Sequence, residues 1–232
     1  MDIFILAQDV CFPDPKVGLE EILAKEGLKS FVSSRFREDI LTSSALQLFD
    51  QGELEGLKAG VHSLRESGAN VELYFLTPFG LIHSQQIIVE YEECIKKLSK
   101  SRLEYFLSEN RVEFHLQQLL ERRPSILIAY LDHRLWKDLN FIDYIPGESV
   151  TILLSDVLPN VNKEGWIFLS KRLLEEQGIT RFGEFFKRLC NVLLRGADEE
   201  ISLKERLEGK IRDILRGKTK KNKNLLKLIK GS

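Results

Sequence analysis

The chain has 232 residues, 43% hydrophobic and 30% charged, with 34 Lys and Arg against 35 Asp and Glu and a formal net charge of −1. That is the balance of an ordinary globular protein, long enough for one large domain or a domain with an appendage. No apolar run reaches the ~20 residues that span a bilayer, so no membrane association is expected, and an N-terminus that meets Asp2 at once lacks the basic start of a secretory signal, so a cytoplasmic location is expected.

The first apolar run, residues 2–7, reads as a strand. Between it and the next strand, Thr42 is a candidate N-cap, Leu54, Leu57, Val61 and Leu64 recur at helical spacing, and Gly68 stands where a helix C-terminus wants a left-handed residue. Residues 71–76 form a second strand, apolar enough to be covered on both faces, and stop abruptly at the turn Thr77-Pro78-Phe79-Gly80-Leu81. Residues 84–99 and 102–122 read as helices, the second ended by Pro124. Two more strands follow at 125–131 and 150–154.

After the fourth strand the pattern turns purely helical. Residues 163–176 read as one helix with Gly178 as its stop, and Phe182, Phe185, Phe186, Leu189, Val192 and Leu193 make an apolar stripe that belongs to the core. Gly196 breaks it, and Ser202-Leu-Lys-Glu205 is a capping box opening a last helix with Leu207, Ile211, Ile214 and Leu215 along one side. Strands alternating with helices predict an α/β fold: three layers, a mainly parallel sheet of about four or more strands with helices on both faces, and a helical C-terminal extension. The expected division is an α/β domain over 1–178, C-terminal helices over 179–216 packed on it, and a basic tail over 217–232.

The tail carries a distinct signal. From Arg216 onward the chain is +7 without an acid, so residues 1–215 carry −8. Lys218, Lys220, Lys221 and Lys223 make it a handle for nucleic-acid phosphates, whereas Leu225, Leu226, Leu228 and Ile229 would make the last helix and tail a dock for a protein partner. A solvated, frayed terminus is the third alternative.

Several chemistries are excluded by absence. There is no GxxxxGK[ST], no GxGxxG after the first strand, no HExxH and no GxSxG. His62, His83, His115 and His133 lack ligand spacing, so neither a metal site nor a cofactor is expected. Cys11, Cys94 and Cys190 are odd in number, far apart and without CxxC spacing, which predicts buried or incidental thiols rather than a disulfide framework.

What remains is convergence. In a parallel sheet, Gln8-Asp9, residues 77–82, Asp132-His133-Arg134 and Ser155-Asp156 all follow strands and so share one rim, where open α/β sheets collect ligands. Asp9 or Asp132 is the candidate general base or acceptor for an exocyclic amine, Arg134 the candidate phosphate partner, and Phe79 a stacking platform. Each has a structural alternative: Asp132 as N-cap of a helix running to Leu139, Asp156 as a turn former, Phe79 as a plug.

These residues support a resemblance. A first strand (Ile3 to Asp9), a small residue with Lys (Ala24-Lys25), a Ser…Phe-Arg segment (Ser33, Phe36, Arg37), a strand ending in Thr77-Pro-Phe-Gly80-Leu81, a Tyr about ten residues on (Tyr91) and a further strand with a short polar sequel (Ile126 to Arg134) together resemble the YaaA-like superfamily of small α/β domains over roughly residues 1–170. Relatives of that group accompany tRNA-guanine transglycosylases in archaeosine synthesis, and the fold is similar to uracil-DNA glycosylases. Many relatives place a Cys or Ser and a Lys-rich loop after the first strand, where this chain has Gln8-Asp9-Val10-Cys11-Phe12-Pro13, so that loop's chemistry does not carry over. The resemblance implies a nucleobase or nucleotide pocket shaped by Thr77, Phe79 and Gly80, with Asp9 or Asp132 as the acid and Arg134 or Arg37 on phosphate. The alternative is a non-catalytic protein-interaction or nucleic-acid-binding component of a stress or defence system.

Overall fold

The computed structural model describes residues 1–15, 17–23, 32, 42–161, 163–193 and 203–216. Arg37, with Ser33 and Phe36, the capping-box Ser202 and the whole basic tail with Lys218, Lys220, Lys221 and Lys223 lie outside the described residues.

The first strand, β1 (Asp2–Gln8), alternates Ile3, Ile5 and Ala7 with Phe4 and Leu6, and both sets are buried in separate apolar clusters. That two-sided burial is what a central strand of a parallel sheet requires. A short helix α1 (Leu19–Leu23) precedes β2 (Thr42–Ser44), whose Ser44 side chain accepts the Gln47 amide and caps α2 (Ala45–Phe49). A 3-10 turn, Gly52–Leu54, leads into α3 (Leu57–Glu66), and Gly68 follows it at a φ of 86°. Next come β3 (Asn70–Thr77), β4 (Gly80–His83), β5 (Ile87–Val89), a second 3-10 turn Ile95–Lys97, α4 (Lys100–Glu109) and α5 (Val112–Leu120). Then follow β6 (Ile126–Tyr130), α6 (His133–Asp138), α7 (Phe141–Tyr144), β7 (Val150–Ser155), β8 (Trp166–Ser170), α8 (Lys171–Glu176), α9 (Phe182–Leu193) and α10 (Leu203–Arg216).

The main sheet runs β4-β3-β1-β6-β7-β8, all parallel except β4, which folds back antiparallel on β3. The four strands expected from the sequence are therefore neighbours in one sheet. Counted by appearance, the five parallel strands lie in the doubly wound order 2-1-3-4-5. The chain steps from β1 to β3 on one side and then crosses to β6 on the other, so the winding reverses between β1 and β6.

One face of the sheet is packed by α2, α3 and α9. The Phe182, Phe185, Phe186, Leu189 and Cys190 side of α9 is buried there, with Phe182 stacked 4.7 Å from Tyr130 of β6. Gly183 lets α9 start directly on the first 3-10 turn, because a Cβ there would clash with the Leu54 and Glu55 carbonyls. The other face is packed by α4 to α7 through Leu103, Phe106, Leu116, Leu120, Leu135 and Phe141. Among the described residues no helix is long and apolar enough to cross a membrane, and no group of three or more His, Cys, Asp or Glu could hold a metal ion.

Four expectations are corrected. Residues 163–176 are not one helix: Gly165, at a φ of 85°, releases a buried strand, β8, before α8 begins, so the region after β7 is not purely helical. Residues 84–99 are not a helix either, since Ile87–Val89 pairs with Thr42–Ser44 in a separate two-stranded sheet, as three β-branched residues in a row favour. The helix expected over 102–122 breaks at Asn110-Arg111, where the Asn110 side chain donates to the Phe106 carbonyl and Arg111 takes a φ of 47°. Finally, Cys11 and Cys94, 83 positions apart, are joined in a disulfide with their Cα atoms 4.9 Å apart, while Cys190 is a free buried thiol. Long-range pairing of this kind leaves no mark in cysteine spacing.

Candidate switch-point site at the strand carboxyl ends

Parallel strands end on the same rim, and where their winding reverses the flanking crossovers leave in opposite directions and open a crevice. Here that place lies between the ends of β1 and β6, so Gln8-Asp9 and Asp132 flank it. The Gln8 side chain closes the gap: its amide nitrogen donates to Asp132 Oδ2 at 2.9 Å, and its carbonyl accepts the Asp132 backbone amide at 2.7 Å. Asp132 precedes α6 but its side chain makes no capping hydrogen bond, so the helix-cap alternative does not describe it. Its Oδ1 instead accepts from Lys171 Nζ at 3.0 Å, and Lys171 is the first residue after β8.

Lys171 gathers the rest of the site. Its Nζ lies 3.7 Å from Glu53 Oε2 and 4.8 Å above the Tyr130 ring. Glu53 comes from the first 3-10 turn, accepts from the Tyr130 hydroxyl, and pairs with Lys96 of the second 3-10 turn at 3.2 Å. Burial works to raise the Glu53 pKa, yet the Tyr130 hydroxyl and the two lysines outweigh it and hold the carboxyl below its ordinary range. Burial and then the Glu53 carboxylate push the Tyr130 phenol up. At the end of β7, Asp156 accepts both the backbone amide and the ring Nδ1 of His133 at 2.7 Å. Although its partial burial raises the pKa, those bonds bring it down to about 2. Asp156 thereby takes the capping role that was the structural alternative for Asp132.

Asp9 occupies a different setting. It is buried, and its carboxylate accepts from the Tyr91 hydroxyl at 2.5 Å and from the Ile95 amide at 3.0 Å. Burial dominates and raises its pKa to about 7, with those two hydrogen bonds pulling the other way. The Tyr91 ring sits edge-on to Phe79, 5.1 Å between centroids. Thr77 is buried as well; its hydroxyl accepts the Phe79 amide at 3.1 Å and donates to the Gly80 carbonyl at 3.0 Å, closing the turn. Gly80 needs its identity twice over, for a φ of 97° and because a Cβ would lie 3.2 Å from Asn110 Cβ. Arg134 spends its guanidinium on the Leu98 carbonyl at 3.1 Å and the Lys96 carbonyl at 3.3 Å, which fastens the second 3-10 turn to α6.

Thus Asp9, Thr77, Phe79 and Gly80 meet around Tyr91, while Asp132 meets Gln8, Lys171, Glu53 and Tyr130; adjacency of Gln8 and Asp9 joins the two groups. Lys171 and Glu53 stand outside the sequence expectations because the helical pattern over residues 163–176 hides β8, and Glu53 lies one residue before the helically spaced Leu54. The signal was present for Lys171: Trp166-Ile-Phe-Leu between Gly165 and Ser170-Lys171 is a short apolar run bounded by turn residues, as strands are.

No protein-family model matches this chain, and neither a curated protein nor a solved structure does.

Proposed function

We propose that this chain is a ligand-binding α/β module that takes a nucleotide at the crevice between β1 and β6, with Lys171 as its phosphate partner and with binding, not turnover, as its output. The observation that carries this reading is the position of Lys171: a half-buried ammonium at the switch point, held by two carboxylates from different elements. A phosphate bearing about two negative charges competes for such a cation through stronger, charge-assisted hydrogen bonds. Lys96, paired with Glu53 at the same place, is the second available cation. The nucleotide class rests on the resemblance to the YaaA-like superfamily, and the strand-end geometry supports the position.

The acids support binding over chemistry. Asp132 has both oxygens engaged, by Gln8 and Lys171, and Asp9 has both engaged, by Tyr91 and Ile95. Arg134, bound to two carbonyls, is a strap rather than a phosphate clamp. Calorimetric titration of the full chain with ATP, GTP and inorganic phosphate tests the proposal. Saturable nucleotide binding, weakened at least about tenfold in Lys171→Gln, is expected, since one charged hydrogen bond contributes about 1.5–3 kcal/mol. Absence of binding at millimolar nucleotide, or equal affinity in Lys171→Gln, overturns it.

A further inference from the structure

The segment from Tyr91 to Leu98 forms one wall beside the switch point, and its fastenings differ in kind. Tyr91 and the Ile95 amide hydrogen-bond to Asp9, Lys96 pairs with Glu53, and the Lys96 and Leu98 carbonyls accept from Arg134. All of these are reversible contacts. The single covalent one is Cys94 to Cys11, which lies two residues beyond Asp9 on the loop leaving β1. The loop that follows Gln8 and the wall that carries Lys96 are therefore tied to each other by one covalent bond, beside the hydrogen bonds that Asp9 accepts. Its two sulfurs are unequally placed: Cys94 is fully buried, whereas Cys11 is partly exposed.

We propose that Cys11–Cys94 is a reversible disulfide latch that holds the 91–98 wall against the β1 loop, so that a dithiol reductant releases the wall and changes access to the crevice. The regulation of ligand binding rests on the reading of that crevice as the ligand site; the latch itself does not. Reduction is thiol–disulfide exchange. A thiolate of the dithiol attacks the accessible Cys11 sulfur, the S–S bond breaks and Cys94 leaves as a thiolate that takes up a proton. The second thiol of the reductant then displaces Cys11 from the mixed disulfide. Two electrons and two protons pass to the protein, which holds two thiols, and the reductant leaves as its own disulfide. Loss of the bond removes the covalent tie between the wall and the β1 loop, so the wall is then held by its hydrogen bonds, by the Lys96–Glu53 and Arg102–Glu93 pairs and by the burial of Tyr91, Ile95 and Leu98.

The test uses the full chain, isolated without reductant, and dithiothreitol as the probe. Denaturing alkylation followed by intact mass should show one adduct before reduction, at Cys190, and three after it; three adducts in air-oxidised protein that is never reduced would overturn the latch. Hydrogen exchange by mass spectrometry should then show 91–98 exchanging at least about tenfold faster in reduced protein, with β6 unchanged. Equal exchange in the two states also overturns it. Cys11→Ser should reproduce the reduced exchange pattern without dithiothreitol, and a Cys11→Ser protein that matches the oxidised pattern counts against the proposal in the same way. ATP titrated into both states separates the two claims. Altered exchange with no ATP binding in either state keeps the latch and removes the ligand reading, whereas binding with an affinity that differs between the states supports both.

Discussion

Asp9 and Asp132 end neighbouring parallel strands, and each has both carboxylate oxygens occupied, yet their surroundings are opposite. Asp132 sits against a lysine and an amide, and its charge is matched by an ammonium 3.0 Å away. Asp9 is buried against a phenol and a backbone amide, with no cation among its hydrogen-bond donors, and burial lifts its pKa to about 7. Position in the fold therefore does not set the chemistry of a strand-end acid; the partners delivered by later elements do. For Asp132 that partner arrives with β8 and α8, about 40 residues on, and for Asp9 with the segment after β5.

The largest effect expected from this contrast is on stability against pH. A carboxyl whose pKa is about 7 in the folded protein and near 3.8 unfolded binds more protons when folded throughout that interval. Its stabilising contribution is thus complete below about pH 4 and is lost as pH rises toward 7. At about 1.4 kcal/mol per pH unit the loss is on the order of 4 kcal/mol. Asp9→Asn keeps an acceptor for the Ile95 amide and removes the charge, so denaturant unfolding of wild type and variant between pH 4 and pH 8 should diverge, with the variant gaining on the wild type as pH rises. Parallel profiles would break the comparison. Asp156, held at about 2, works in the opposite sense and only at acid pH, where stability falls as it is protonated.

A smaller effect sharpens the other half. In a double-mutant cycle, Lys171→Met with Asp132→Asn should give a coupling of about 1.5–3 kcal/mol, the range for a charge-assisted hydrogen bond, because the pair is mostly buried. Lys171→Met with Asp9→Asn should give a coupling near zero. Comparable couplings in the two cycles would mean that the two acids share one electrostatic site.

How much of this was legible in sequence follows from the distance at which each signal acts. The four strands were readable because burial on both faces imprints a mostly apolar run that needs no partner to recognise, and parallel order then placed Gln8, Asp9, Asp132 and Asp156 on one rim. The Thr77 to Leu81 turn was readable because Pro and Gly act locally. β8 was not, since Trp166 to Ser170 runs without a break into Lys171 to Glu176 and the joined stretch imitates a helical period; Lys171 was lost with it. Glu53 and the Cys11–Cys94 bond rest wholly on tertiary approach. That Asp156 and not Asp132 caps α6 was hidden for a related reason, as either acid can cap it and only the placement of β7 beside β6 decides which does.

The smallest expected effect isolates the Asp9 side from the Asp132 side through the turn that supports Tyr91. Gly80 lies at a φ of 97°, where an L-residue costs about 1–2 kcal/mol, and an added Cβ would stand 3.2 Å from Asn110 Cβ. Asn110 cannot simply withdraw, because its side-chain nitrogen donates to the Pro78 carbonyl at 3.0 Å and to the Phe106 carbonyl at 2.9 Å. Gly80→Ala should therefore destabilise by about 1–3 kcal/mol, the cost of a strained backbone residue held in place by its surroundings. The strain should pass through Phe79 to Tyr91 and so to the Asp9 hydrogen bond, visible as faster exchange of the Ile95 amide. Lys171 and Asp132 touch none of these groups, so the Lys171→Met and Asp132→Asn coupling should be the same in the Gly80→Ala background. An unchanged melting temperature would deny the turn its special conformation. A coupling that falls with it would show that the two acids, so differently surrounded, are nonetheless held by one rigid support.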